Sequence, residues 1–532
     1  MRNTNVADVI VVGSGSAGAA LAGRLARDPG RRVVLLEAGG KPLPLIHSLP
    51  IMAGVLSGGN LSVWRDATEP EQGLAGRRLS WPRGRVLGGS SAVNGMVWMR
   101  GRPSDYDRWA AAGAEGWDWN TVETAFETLE NGEDRTGPHV GIVQHPGGNP
   151  LYDAFLAAGR QAGLAEMADF NGGTQEGVGR YRVNIAKGRR ISAADAFLKN
   201  PPANLRIVTG ITVTALRLDG SRVVGVEGWV GGRQETFHAA ETVLCAGAVN
   251  TPKLLMLSGI GDPAKLEAAG VRARHDLPGV GENLQDHICG RLRYECKQPV
   301  TLRNLTRIDR ALAAGLQAWL LRSGAATRTP FGAGFLLRSE AAAAEPDIQG
   351  FLIPGLSDYR LWCPVLRPAR SGHGFTASVY QLRPESRGRI TLKSADPSEG
   401  PRIEANYLKA EHDRRVLRNG VRTMRELIEQ PAFAPFKGRM LSSIPFEDDA
   451  GLDAALGREA VTAFHPVGTC RMGRADDAMA VVTPDLRVRG IEGLRVADAS
   501  VMPTLTSGNT NAPAMMIGYR CADLMANDPR SA

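Results

Sequence analysis

A two-domain α/β protein with a Rossmann-like N-terminal unit is what this sequence predicts, and three observations predict it. The chain has 532 residues, more than one ordinary hydrophobic core accommodates. Near its start a continuous β-branched run, Val9-Ile10-Val11-Val12, passes directly into a glycine-rich turn. A second run, Val33-Val34-Leu35-Leu36, ends in an acid, Glu37.

An unbroken apolar run is the pattern of a strand buried on both faces of a parallel sheet. The turn between the runs reads Gly13-Ser14-Gly15-Ser16-Ala17-Gly18, and a helical segment follows over 19–26. Gly13 permits the tight turn, Gly15 lets the backbone approach a pyrophosphate, and Gly18 allows close helix–strand packing. The helix N-terminus offers free N–H groups to the phosphates. Glu37 follows Gly18 by 19 residues, where it can accept a hydrogen bond from a ribose hydroxyl. Strand, turn, helix, strand and acid together indicate a bound dinucleotide, without choosing between FAD and NAD.

Composition narrows the class. Apolar residues make up 43% and charged residues 22%, as in a soluble globular protein. A net charge of +8 raises the question of nucleic acid. The basic clusters Arg77-Arg78 and Lys187-Gly188-Arg189-Arg190 are short and lack a recognition module, so no nucleic-acid partner is expected. Cys245, Cys289, Cys296, Cys363, Cys470 and Cys521 form no C-x-x-C pair. They read as reduced thiols of a cytoplasmic protein, and no metal site is expected. Met1 to Asp8 is polar and has no signal-peptide layout. No run reaches the roughly 18–20 apolar residues that a transmembrane helix needs.

Three further segments carry information. Gly84-Arg85-Val86-Leu87-Gly88-Gly89-Ser90-Ser91-Ala92-Val93-Asn94-Gly95 offers backbone that can lie against a flat ring. A strand entering Ala246-Gly247 leads to a helix, with Pro252 expected near its start. Gly493-Leu494-Arg495-Val496-Ala497-Asp498-Ala499-Ser500 reads as a short strand ending in an acid. Near the C-terminus stand Phe464-His465-Pro466 and Ser507-Gly508-Asn509-Thr510-Asn511.

These segments resemble the glucose–methanol–choline (GMC) family of FAD-dependent oxidoreductases, from Val9 to Ala526. Gly84 to Asp107 and Gly247 to Gly261 match its two long signatures. The resemblance implies a Rossmann-like FAD-binding domain built from discontinuous segments, expected over 1–150, 204–296 and 460–532. It implies an α+β substrate-binding domain with an antiparallel sheet over 151–203 and 297–459. FAD contacts are implied at Gly13, Gly15, Ser16, Ala17, Gly18, Glu37 and Ala38 of the fingerprint. In the second segment they fall at Arg85, Gly88, Gly89, Ser90, Asn94, Gly95, Met96 and Val97. Further contacts are implied at Val213, Ala246, Gly247, Asp498, Ala499, Thr510 and Asn511. Some members attach FAD to a histidine at the position that is Val93 here, so a non-covalent flavin is expected.

His465 matches the family's active-site histidine and Asn509 its partner. A neutral imidazole suits removal of a hydroxyl proton, and an amide can stabilise developing alkoxide charge. The expected reaction is oxidation of a primary alcohol to the aldehyde, with oxygen or a quinone as electron acceptor. The expected substrate is a neutral aromatic, aliphatic or polyol alcohol. Choline fits less well, because the position taken to carry a carboxylate in quaternary-ammonium-binding members aligns with Gly332. Tyr359, Trp362 and Trp98 are candidate pocket aromatics. A choline-type dehydrogenase and a flavin-containing cyanohydrin lyase are the alternatives.

Overall fold

The computed structural model describes residues 5–133, 137–173, 175–364, 366, 368–369 and 371–528. The outer ends of the expected first domain, 1–4 and 529–532, lie outside the described residues, as do the first four residues of the polar segment Met1 to Asp8.

Two sheets organise the chain. In the first, parallel strands run in the order Leu205–Thr209, Val33–Glu37, Val6–Val12, Arg233–Leu244. Leu494–Val496 pairs in parallel with the end of Arg233–Leu244. The beginning of that strand turns back through Arg222–Val230 and Ile211–Asp219 as an antiparallel meander. Every residue of Val33–Glu37 is buried, as its unbroken apolar run requires of an interior strand. Val12 is in register with both Leu36 and Leu244, and Leu244 with Val496. The carboxyl ends of four strands therefore form one edge. The turns leaving them open on one crevice, the usual ligand position of a parallel α/β sheet.

Helix Ser16–Leu25 follows the glycine turn. Gly18 is required there for packing: a Cβ on it would lie 1.9 Å from the Gly13 carbonyl oxygen. The last helix, Asn511–Ala526, lies directly against Ser16–Leu25. Contact is tight enough that a Cβ on Gly518 would meet the Ala17 carbonyl oxygen at 2.1 Å. Pro252 departs from expectation. It sits inside helix Gly247–Leu257 rather than near its start. The carbonyl it leaves without an intrahelical partner, that of Ala248, accepts instead from the Thr469 hydroxyl at 2.7 Å.

The second sheet has the order Lys437–Met440, Ile288–Cys296, Gly374–Gln381, Ile348–Ile353, Ala333–Leu337, Gly177–Arg180, Glu166–Met167. All its pairings are antiparallel except the last. Helix Glu411–Glu429 covers one face with Val416, Leu417, Gly420, Val421 and Met424. The other face looks toward the crevice. Ser386 to Lys393, which reads as one strand, supplies only Arg389–Thr391 to a separate ribbon with Arg402–Glu404. Ile288–Cys296 and Val461–Thr462 belong to this second sheet, although the expected boundaries at 296 and 460 assign them to the first domain. Their pairing with each other is what brings the two parts of the site together.

Candidate active site

Between the crevice and the second sheet lies a cavity of about 1320 Å³, larger than the roughly 300–1,000 Å³ of an ordinary small-ligand site. Its wall includes Gly13, Gly15, Ser16, Ala17, Glu37, Ala38, Gly89, Ser90, Asn94, Gly95, Met96 and Val97. Val213, Ala246, Gly247, Asp498, Ala499, Thr510 and Asn511 complete that side, and His465 and Asn509 also face the space. Three expected contacts are not on the wall. Gly18 is buried in the helix–strand contact described above. Arg85 places its guanidinium 4.3 Å from the ring centre of Trp64. Gly88 turns its N–H to the Ser14 hydroxyl at 3.2 Å.

The wall fits a dinucleotide. Helices Ser16–Leu25, Gly247–Leu257 and Asn511–Ala526 all begin on it, and none has a side-chain N-cap. The first N–H groups of Ser16–Leu25 and Asn511–Ala526 are thus available to anionic oxygens, whereas that of Gly247 is taken by Asp498. Gly15 and Gly89 bring two backbone segments so close that a Cβ on Gly89 would lie 2.6 Å from the Gly15 Cα. Asn511 accepts from the Ser16 hydroxyl at 2.7 Å, while its own buried Nδ2 has no protein acceptor. Glu37 accepts from the Ser14 N–H at 3.0 Å and hydroxyl at 2.6 Å, and from the Gly39 N–H at 2.7 Å. Burial pushes its carboxyl up from the ordinary range. Asp498 accepts from the Gly247 N–H at 2.8 Å and the Thr251 hydroxyl at 2.6 Å, tying the end of the short strand to a helix start. Val93 borders the same space and carries no nucleophile.

At the opposite end, two histidines meet because two sequence-distant segments pair antiparallel. Ile288 is in register with Thr462 and Cys289 with Val461. The Ala463 N–H donates to the His287 carbonyl at 2.9 Å. Phe464 then takes a left-handed φ of 65°, an uncommon conformation for a bulky residue. Its carbonyl accepts from both terminal nitrogens of Arg83 at 3.1 Å. The His465 N–H donates to Asp286 at 2.6 Å, and Asp286 also accepts from the hydroxyls of Tyr407 and Thr462. His465 is thereby fixed from its own backbone.

The proton positions on the two rings follow from their neighbours. His287 Nε2 lies 3.1 Å from the Leu382 carbonyl, which only accepts, so Nε2 carries the proton. His287 Nδ1 is then an acceptor, and His465 Nδ1, 2.9 Å away, donates to it. His465 Nε2 is left bare, receiving a hydrogen bond from Asn509 Nδ2 at 3.1 Å. The Gln349 amide, 3.4 Å from Asn509 Oδ1, orients Asn509 in this sense. Burial lowers His287 to about 4. Burial, with His287 and Arg83 nearby, holds His465 well below the usual histidine range. Both rings are neutral near pH 7, as this tautomer assignment requires.

His287, Asp286, Arg83 and Gln349 are not evident as site residues from the sequence. The one signal for His287 is its place at the head of the alternating strand Ile288–Cys296. Among the candidate aromatics, Tyr359 borders the cavity. Trp98 is core, donating to Glu130 at 2.8 Å, and Trp362 stacks with Arg303 outside the cavity. Gly332 also lies off the wall, facing His145 and Tyr152, so it has no bearing on whether the pocket carries a carboxylate.

A crevice fitted to a dinucleotide, facing a bare imidazole nitrogen and an amide, is the arrangement that oxidation at an alcohol carbon requires. Family models described as GMC oxidoreductase match residues 7–289 and 384–518. An oxygen-dependent choline dehydrogenase of Photobacterium profundum is 39% identical over 98% of this chain and 94% of its own. Pyridoxine 4-oxidase from Mesorbium loti superposes with a TM-score of 0.87 at 33% identity, over 98% of this chain and 99% of its own. A formate oxidase variant from Aspergillus oryzae gives a TM-score of 0.88 at 26% identity, over 98% of both chains. The chain belongs to the GMC oxidoreductases. It is an FAD-dependent enzyme acting on CH–OH groups.

Proposed function

We propose that the protein oxidises a neutral aromatic primary alcohol to the aldehyde, with His465 as base, and passes the electrons to oxygen or a quinone. Bound FAD supplies the hydride acceptor and carries the two electrons away. His465 Nε2 takes the hydroxyl proton, and Asn509 Nδ2 donates to the substrate oxygen as negative charge grows there. Arg83 and Asp286 hold the base in place. The residues expected to contact FAD are proposed to hold it non-covalently, except Gly18, Arg85 and Gly88, whose parts are in packing and support. The domain division proposed is the expected one, with 288–296 and 461–462 moved to the substrate side.

The observation that carries the substrate reading is the chemistry of the wall. Its only acids among the described residues are Glu37 and Asp498, both engaged on the dinucleotide side. The antiparallel sheet contributes Cys289, Arg291, Phe351, Ser378 and Tyr380, with Phe331 beside them. Phe351 packs edge-on to Phe331 at 5.9 Å and stacks with Tyr380 at 5.4 Å. An arginine and no carboxylate disfavour a quaternary ammonium ion, while the rings suit an aromatic alcohol. The name of the pyridoxine 4-oxidase neighbour is in keeping with this reading. Choline is the second reading, supported by the choline dehydrogenase relatives and by the same rings, since aromatic faces also attract ammonium groups.

Mixing the holoenzyme anaerobically with benzylic, aliphatic and polyol alcohols, choline and a cyanohydrin tests the reading. Fastest bleaching of the flavin by the benzylic alcohol supports it, and faster bleaching by choline overturns it. Cleavage of the cyanohydrin without bleaching by any alcohol would mark a lyase. Re-oxidation by air, or only by added quinone, identifies the acceptor. Six free thiols, five of them buried, favour a reducing compartment, and we place the protein in the cytoplasm.

A further inference from the structure

Helix Ile308–Leu321, IDRALAAGLQAWLL, has an inner side of small residues and an outer side of large apolar ones. Ala314 and Ala318 pack on Leu49, Ile51 and Met52. Leu312, Leu316 and Leu320, spaced four residues apart on one face, are 69%, 60% and 64% exposed, and Leu321 is 69% exposed. Isolated exposed leucines are ordinary, but an apolar stripe along a whole helix is not. The stripe continues past the helix. Val55 and Leu361 are each more than half exposed and also border the cavity, as do Ala311 and Gly315. The apolar face therefore adjoins the cavity along Val55, Ala311, Gly315 and Leu361.

The charges around this face are mostly positive, with Asp309 and Asp358 the acids beside it. Residues 302–328 carry five arginines and a single acid, Asp309, and Asp309 is engaged by Arg307 at 2.5 Å. Arg310 and Arg322 are exposed at either end of the stripe and have no acidic partner among the described residues. Trp319 lies on the same helix with the Arg189 guanidinium 4.4 Å from its ring centre. A second copy of this face would set these arginines against their own images. An anionic surface with an apolar interior satisfies both the leucines and the arginines. No helix among the described residues is long and apolar enough to cross a membrane, so the contact is with one leaflet.

We propose that this face docks on an anionic phospholipid bilayer. Helix Ile308–Leu321 lies in the interface plane, with Leu312, Leu316 and Leu320 among the acyl chains and Arg310 and Arg322 at the headgroup phosphates. The adjoining cavity then lies at the lipid surface, where apolar substrates and acceptors concentrate. The inference is independent of which alcohol is oxidised.

Flotation of the holoenzyme with phosphatidylcholine vesicles, with and without phosphatidylglycerol, tests it. The protein is expected to float with the anionic vesicles and to be released by salt. Leu312→Glu/Leu316→Glu is expected to weaken that binding at least about tenfold, leaving flavin content and turnover with a soluble dye acceptor unchanged. Arg310→Ala/Arg322→Ala is expected to remove the preference for anionic vesicles without altering the helix face. Failure of the unmodified protein to float with either vesicle overturns the proposal, and so does binding that survives the double leucine change. A dimer in sedimentation that the same leucine change dissolves, with no vesicle binding, would assign the face to a second copy instead.

Discussion

The Nδ1 atoms of His287 and His465 lie 2.9 Å apart, with the ring planes perpendicular. Two like atoms at hydrogen-bond distance allow only one proton between them. The Leu382 carbonyl decides which ring owns it. His287 thus acts through His465, by presenting an acceptor that keeps the His465 proton on Nδ1 and leaves Nε2 free.

Replacing His465 by Ala should leave FAD bound, since the helix starts and glycine contacts of the crevice are untouched. Flavin reduction by alcohol should fall by about 10²–10⁴, the range for a positioned general base. Anaerobic stopped-flow measures it, and an unchanged rate would exclude His465 as the base.

His287→Leu removes the acceptor for His465 Nδ1–H and should slow reduction by about tenfold or more. His287→Asn keeps an oxygen within reach of that N–H and should recover part of the loss. A merely structural role would give equal losses in both variants at equal stability, so thermal melts accompany the rate measurements.

The acid limb of activity should be displaced. The proposed role of His465 requires its base form, and its proton affinity is held well below the usual histidine range by burial and by two basic neighbours. The fraction in the base form therefore stays near one as pH falls through about 6.5, where an ordinary histidine is half protonated. Reduction rates should be flat across that pH and decline only at lower values. A decline centred near 6.5 in single-turnover measurements would contradict this.

Acid precipitation should release the yellow colour into the supernatant, because Val93 offers no atom for a bond to the flavin. Gly89→Ala should lower flavin content sharply while the protein remains folded. Its Cβ would enter the 2.6 Å approach to Gly15 at a φ of 53°, a conformation that costs a non-glycine residue about 1–2 kcal/mol. Absorbance ratios of flavin to protein measure both outcomes.

The N-terminal unit was legible because every constraint on it is local. A continuous apolar run, a glycine turn and a terminal acid follow one another within 37 residues. His465 and Asn509 were legible only through resemblance, since a histidine alone says nothing of its surroundings. His287 was not legible, because its role depends on antiparallel pairing with residues more than 170 positions away. The pairing of Ile288–Cys296 in the second sheet was not legible for the same reason: alternation identifies a strand without naming its sheet. Gly332 failed as a guide because which way a residue faces depends on the register of Ala333–Leu337 with its neighbours. Pro252 inside its helix is tolerated only through Thr469, a partner that no local pattern reveals.

The pairing of Leu494–Val496 with Arg233–Leu244, and of the last helix with the first, also sets an order of events during synthesis. Most of the first sheet is made early, yet the edge at Thr242–Leu244 stays open until residue 494 has been added. One of the three helix starts that face the dinucleotide belongs to Asn511–Ala526. The emerging chain therefore carries an exposed strand edge from residue 244 to residue 494, and an incomplete nucleotide site until the last helix is made. Flavin can act as a late clamp that locks the two ends of the polypeptide together. Loss of the final helix should leave a chain that has covered that edge but lacks one helix start of the nucleotide site, and so does not retain FAD.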